Sequence, residues 1–254
     1  MAAGNWKMNT DYTEGRDLIL QIIDGLQPTD VQVVLAPPFI QLRNADNLTR
    51  GVSNLDIAAQ NCHQESHGAF TGEVSAAMVR STGAQYVLLG HSERREYFGE
   101  DDELLSQKVQ AALEQQLRPI FCCGEKLQER EAEKHQATVR AQLQEGLFAA
   151  VPSEQWDQVV IAYEPVWAIG TGKTATPDQA QDMHAFIRSL VKEAYGAALA
   201  EQTTILYGGS VKPANAAELF QQKDVDGGLV GGASLKAVDF IAIIRALEAS
   251  LSVE

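Results

Sequence analysis

The sequence predicts an α/β fold: a closed (β/α)8 barrel in which eight parallel strands are wrapped by outer helices. Three observations predict it. Short β-rich runs alternate with longer segments of helical period along the whole chain, which implies parallel strands joined by right-handed crossovers. The count reaches eight within 254 residues, the number at which such a sheet closes on itself. The turn after the first strand, Asn5-Trp6-Lys7-Met8-Asn9, lacks the glycine-rich fingerprint that the competing architecture, a doubly wound open sheet, usually places there. A single domain spanning residues 1–254 is expected, because barrels of this kind commonly run to that length and no composition break marks a linker.

In order, the expected strands are Ala2 to Asn5, Gln32 to Ala36, Leu55 to Gln60, Tyr86 to Leu89, Pro119 to Cys123, Val159 to Tyr163, Thr204 to Tyr207 and Gly228 to Val230. The sixth is too apolar to face water on either side, as a buried parallel strand should be. Three sets of apolar residues recur at helical spacing and predict the buried stripes of outer helices. They are Val139, Leu143 and Leu147; then Ala180, Met183, Ile187, Leu190 and Ala194; then Phe240, Ile244, Leu247 and Leu251.

Hydrophobic residues at 45% can build a large core, and no apolar run approaches the length of a membrane span. The start of the chain, Met1-Ala2-Ala3-Gly4-Asn5, has neither the basic patch nor the apolar run of a secretory signal, which predicts a cytoplasmic protein. Of three cysteines, Cys122 and Cys123 are adjacent within an apolar run, a pattern of packed thiols in a reducing compartment. Twenty basic and thirty-four acidic side chains give 20 − 34 = −14. Without a Lys/Arg cluster, neither nucleic acid nor a membrane is an expected partner. Attraction for an anionic ligand must then be local, because salt screens fields beyond about 8 Å.

If the barrel closes, the residues following each strand share one rim. The first strand delivers Asn5 and Lys7, the fourth Gly90-His91-Ser92-Glu93-Arg94-Arg95, and the sixth Glu164. The seventh delivers Gly208-Gly209-Ser210 and the eighth Gly231-Gly232-Ala233-Ser234. Glycine pairs at tight turns leave backbone N–H groups free to bind a phosphate, and barrels often place one after the last two strands. Behind Glu164, the segment to Pro177 has Pro165 to stop the strand, Gly170 and Gly172 for unusual backbone angles, and Val166, Trp167 and Ile169 as an apolar face. It is expected to act as a lid, with Gly170 offering a further N–H on closure. Gly172-Lys173-Thr174 looks like the tail of a P-loop, but the glycine such a loop requires at position 167 is Trp167. His63 and His67, near Cys62 and Glu65, imitate a metal site without the pattern of one. No metal or cofactor is expected, and the chemistry falls to acid–base side chains acting on a small phosphorylated molecule.

Gly4 to Asn9, Gly90 to Glu96, Tyr163 to Thr174, Tyr207 to Val211 and Val230 to Leu235 together resemble the triosephosphate isomerase family, in its order and over essentially the whole chain. The resemblance implies a TIM barrel and an aldose–ketose isomerase of glycolysis and gluconeogenesis, interconverting dihydroxyacetone phosphate and D-glyceraldehyde 3-phosphate through an enediolate. By that resemblance Glu164 is the base, and His91, kept neutral by the helix starting near Ser92, donates to the substrate oxygens. Lys7 and Asn5 offset the developing charge, and Glu93 is the second carboxylate. Gly170, Ser210, Gly231 and Gly232 hold the phosphate. The loop Gln60 to Val74 resembles the family's interdigitating loop, whose threonine, here Thr71, enters a partner subunit, so a homodimer is implied. Alternatives on the same fold are another phosphosugar isomerase or lyase, or a non-catalytic binding or scaffold barrel. One departure stands out: only Met1, Ala2 and Ala3 precede Gly4, a shorter first strand than the family generally has, which predicts weakened closure against the eighth.

Overall fold

The computed structural model describes residues 1–168 and 174–251. Eight strands follow one another in sequence order around a closed barrel. They are β1 (Ala2–Asn5), β2 (Val33–Ala36), β3 (Leu55–Ala59), β4 (Tyr86–Leu89), β5 (Arg118–Cys123), β6 (Val160–Tyr163), β7 (Thr204–Tyr207) and β8 (Gly228–Val230). All neighbours pair in parallel. Outside lie α1 (Tyr12–Gly25), α2 (Leu42–Thr49), α3 (Ala76–Ser81), α4 (Ser92–Phe98), α5 (Asp102–Glu114), α6 (Leu127–Glu131) and α7 (His135–Leu143). They continue with α8 (Pro177–Tyr195), α9 (Ala197–Gln202), α10 (Ala216–Phe220) and α11 (Ala237–Leu251). Among the described residues no helix is long and apolar enough to cross a membrane.

The short first strand does close the barrel. Ala2, Ala3 and Gly4 pair with Gly228, Leu229 and Val230, and the Gly228 N–H adds a bond to the Met1 carbonyl at 3.1 Å. The thinnest seam is instead β7 to β8, where Tyr207 opposite Gly228 is the one registered pair.

Helix starts follow from local chemistry. Asp11 and Glu14 form a reciprocal capping box before α1, while Thr176 and Gln179 do the same before α8 with Pro177 in the first helical position. Two members of the expected stripes are not buried. Ala194 is exposed, and the last turn of α8 is covered through Tyr195, whose ring stacks on Trp156 at 4.1 Å. Leu251 is 59% exposed, because the buried stripe of α11 ends at Leu247, one turn before the helix does. Leu147 is buried as its spacing predicts, although it lies in a π-helical turn (Gln144–Phe148) continuing α7.

Side chains alternate along each strand, so every second residue faces the barrel axis. Ala3, Ala58, Leu88, Cys122, Ala162, Leu206 and Leu229 belong to the inner cluster, separate from the larger one packed under the helices. Two residues further along each strand come Asn5, Gln60, Gly90, Gly124, Glu164, Gly208 and Gly231. These positions form the floor of the rim on which the site stands.

Candidate active site

Asn5 ends β1 almost fully buried, and its Oδ1 accepts the backbone N–H of Lys7 at 3.0 Å. Lys7 has φ of 54°, a left-handed conformation uncommon for a residue with a Cβ. Its Nζ lies 2.6 Å from Glu93 Oε1. With both partners 30% or more exposed, that pair contributes little to stability, about 0–1 kcal/mol, and its consequence is the direction in which the ammonium points.

His91 caps α4 with its ring. Nδ1 accepts the backbone N–H of Glu93 at 3.3 Å, so the lone pair is on Nδ1 and the proton of the neutral imidazole is on Nε2. Nε2 faces Glu164 Oε1 at 3.1 Å. The Glu93 carboxylate, 3.6 Å from Nδ1, is beyond hydrogen-bond reach and engages Lys7 instead.

Glu164 follows β6 and is 1% exposed. Its carboxylate is held by α4: Oε2 accepts the Ser92 N–H at 2.9 Å and Oε1 accepts the Ser92 hydroxyl at 3.0 Å. Two glycines give it room. A Cβ on Gly124 would stand 1.8 Å from the Glu164 carbonyl oxygen, and one on Gly208 would stand 2.9 Å from Glu164 Cγ.

A cavity of about 450 Å³ opens above these groups. Asn5, Lys7, His91 and Glu164 line one side, and Gly208, Gly209, Ser210, Gly231 and Gly232 the other. Among the described residues none accepts from the backbone N–H groups of Gly209, Ser210 or Gly232. Unpaired N–H groups at a cavity wall are what an anionic oxygen requires. The sequence-predicted groups thus converge, with two exceptions. Glu93 stands behind Lys7 rather than at the cavity wall, and Gly170 lies outside the described residues, as do Ile169, Gly172 and Lys173.

Several residues in and around the site have contacts there that the sequence did not assign to them. Lys212, Lys236 and Asp239 also line the cavity. Glu125, fully buried, accepts from Arg130 Nη1 at 2.9 Å, Tyr163 OH at 3.0 Å and Trp167 Nε1 at 2.8 Å, tying β6 to the first turn of the segment behind Glu164 (Val166–Ala168). Gln60 bonds the turn that carries Lys7. Gln60 and Glu125 each follow a strand directly or by one glycine, so the rim rule applied to the third and fifth strands would have found both.

The loop after β3 leaves and returns through His63 N–H to Val74 O at 2.8 Å. His63 Nδ1 accepts from Glu65 N–H at 3.1 Å and its ring packs on Phe70, while Thr71 at the tip is exposed. The three cysteines are free and buried, and burial pushes the Cys62 thiol up to about 12.

A buried carboxylate, a neutral imidazole aimed at it and an ammonium around one cavity, opposite unpaired backbone N–H groups, define an acid–base enzyme of the (β/α)8 class. The family model described as triosephosphate isomerase matches residues 1–247. A triosephosphate isomerase of Bacteroides fragilis is 53% identical over 248 residues, 97% of this chain and 98% of that one. Those of Flavobacterium psychrophilum and Alkaliphilus oremlandii are 50% and 51% identical, over 97% and 96% of this chain and 98% and 97% of theirs. The chain belongs to the triosephosphate isomerase family.

Proposed function

We propose that the barrel interconverts dihydroxyacetone phosphate and D-glyceraldehyde 3-phosphate, with Glu164 moving the carbon-bound proton. The carboxylate takes a proton from the hydroxymethyl carbon, and the C–H electron pair becomes the double bond of an enediolate whose charge settles on the former carbonyl oxygen. Once the hydroxyl proton of the first carbon has passed to the former carbonyl oxygen beside His91 Nε2, returning the carbon-bound proton to the neighbouring carbon gives the aldehyde. To reach the carbon Glu164 gives up its two bonds from Ser92, one to each carboxylate oxygen. His91 supplies the Nε2–H to the oxygens, and Lys7 with Asn5 offsets the charge, with Glu93 orienting the ammonium. Backbone N–H groups of Ser210, Gly231 and Gly232, with Gly170 from the lid, hold the phosphate; closure keeps water out and the phosphate on.

The observation that carries this reading is the His91 ring, whose bond from the Glu93 N–H leaves a proton on Nε2, facing the only buried carboxylate at the cavity wall among the described residues. A coupled isomerase assay of the purified chain with dihydroxyacetone phosphate tests it; no turnover would reject it.

A homodimer through the loop Gln60 to Val74, with Thr71 entering the partner, belongs to the same proposal. Its support is the exposure of Met8 (96%), Phe70 (43%) and Tyr97 (77%) on the elements that flank Lys7. Sedimentation finding a fully active monomer would remove it. Three free, buried thiols support a reducing, cytoplasmic setting, where the reaction serves glycolysis.

A further inference from the structure

We propose that Asn215 is a positioning residue for the phosphate end of the substrate: its side chain fixes the backbone around Ser210 so that the N–H of that residue faces the cavity. The inference rests on the reading above that this N–H binds the phosphate, and it names the group that aims it.

The loop after β7 is held at its start and at its end, and hardly between. Gly208 N–H donates to the Tyr163 carbonyl at 2.7 Å, and the Lys212 carbonyl accepts from Asn215 N–H at 3.1 Å and from Ala216 N–H at 3.0 Å. From the Gly209 N–H to the Lys212 N–H the backbone makes two hydrogen bonds among the described residues, and both are to the Asn215 side chain. Nδ2 donates to the Ser210 carbonyl at 2.9 Å, and Oδ1 accepts the Lys212 N–H at 2.8 Å. Turning the amide over would set donor against donor and acceptor against acceptor, so the two partners fix its orientation. Asn215 precedes α10 without capping it through its side chain, so both bonds serve the loop rather than the helix.

That hold matters because of what flanks Ser210. Gly209 has no Cβ, which leaves the chain free to rotate just before it. Val211 is buried, so packing fixes where the loop runs, but an apolar side chain does not fix how the peptide groups on either side of it are turned. The Asn215 amide does, because it grips one polar group of each: the Ser210 carbonyl in the peptide before Val211 and the Lys212 N–H in the peptide after it. Released, the Ser210 carbonyl is free to turn toward the cavity, where an oxygen repels the anion that the N–H binds. Ser210, Val211 and Lys212 line the cavity and Asn215 does not, so it acts through the loop rather than by touching the ligand.

The test compares two substrates on the full chain. Asn215→Leu keeps the bulk of the side chain and removes both polar atoms. Expected is a loss of about 10- to 100-fold in kcat/KM for dihydroxyacetone phosphate, the size of one hydrogen bond to a charged group, with inorganic phosphate becoming a weaker inhibitor. For D-glyceraldehyde, the same three carbons without the phosphate, turnover followed by NMR should stay within about twofold of parental, because there is no phosphate to misplace. A merely structural role would give a loss of equal size with both substrates and would overturn the proposal, as would parental kcat/KM and parental phosphate inhibition in the variant. If Asn215→Leu does not fold, Asn215→Thr, which keeps an acceptor for the Lys212 N–H but is too short to reach the Ser210 carbonyl as well, is read against the same outcomes. Failure of the parental chain to turn over dihydroxyacetone phosphate would instead reject the proposed function, and this inference with it.

Discussion

Replacing Glu164 with Gln takes away the base and disturbs its cradle, and the two effects separate by magnitude. The carboxylate accepts from the Ser92 N–H on Oε2 and from the Ser92 hydroxyl and His91 Nε2 on Oε1, at 2.9, 3.0 and 3.1 Å. An amide has one acceptor oxygen and two N–H donors. With its oxygen in the Oε1 place, the amide nitrogen faces the Ser92 N–H; with its oxygen in the Oε2 place, the nitrogen faces the His91 N–H. Either way one buried donor meets another, at about 1–3 kcal/mol, offset in part because a charge no longer has to be buried. The loss in turnover has no such offset. A positioned base contributes about 10²- to 10⁴-fold, or roughly 3–5 kcal/mol of barrel-bound transition-state stabilisation, against about 10²- to 10³-fold for one oxyanion donor. Glu164→Gln should therefore lose more kcat than His91→Gln while both remain folded by thermal unfolding. Initial rates in the coupled assay decide it: near-parental turnover of Glu164→Gln, or a smaller loss than His91→Gln, would refute the assignment.

Three further outcomes follow from the geometry. Gly124→Ala drives a Cβ to 1.8 Å from the Glu164 carbonyl oxygen, so kcat and the thermal midpoint should fall together; a parental midpoint contradicts the packing described. Shortening the segment between Val166 and Thr174 should divert substrate to methylglyoxal and inorganic phosphate, and unchanged partitioning would mean that the lid does not protect an enediolate. Burial lowers the pKa of His184 from its usual 6.5 to about 4, so the unfolded chain binds the proton first. Its contribution is complete above about pH 6.5 and falls by about 3 kcal/mol as pH drops toward 4. His184→Asn keeps a donor for the Asp224 carbonyl and should flatten denaturation midpoints across that window; an unaltered acid limb would refute it.

How far the sequence could be read is clearest strand by strand. Apolar runs bounded by turn residues located every strand to within a residue at its ends, because burial on both faces leaves a pattern that is local. Asn5, Lys7, His91 and Glu164 were legible for the same reason: parallel closure puts strand ends on one rim whatever their separation along the chain. What closure does not specify is which rim side chains bond one another. The Ser92–Glu164 pair spans 72 positions, and Gln60 to Lys7 spans 53, so neither leaves a local signature. Ala194 and Leu251 fit their helical stripes by spacing and are nonetheless exposed, since periodicity gives the face of a helix but not where its cover ends. Trp167, whose bulk argued against a P-loop, proves to be a hydrogen-bond donor to Glu125.

The floor of the rim explains why so few side chains can do the chemistry there. Inward positions converge on the axis, and below the rim they fill it with apolar side chains. One step higher the same convergence would fill the cavity, unless most positions gave up their side chains. Gly90, Gly124, Gly208 and Gly231 do so, and the three polar floor residues, Asn5, Gln60 and Glu164, occupy the space released. The glycines differ in how tightly they are held to that state. A Cβ on Gly124 meets backbone, one on Gly208 meets the base itself, and one on Gly231 comes no nearer than 3.7 Å to Lys7 Cε. Position 231 therefore has ordinary van der Waals room for a methyl group. Positions 124 and 208 are glycine for space around the carboxylate.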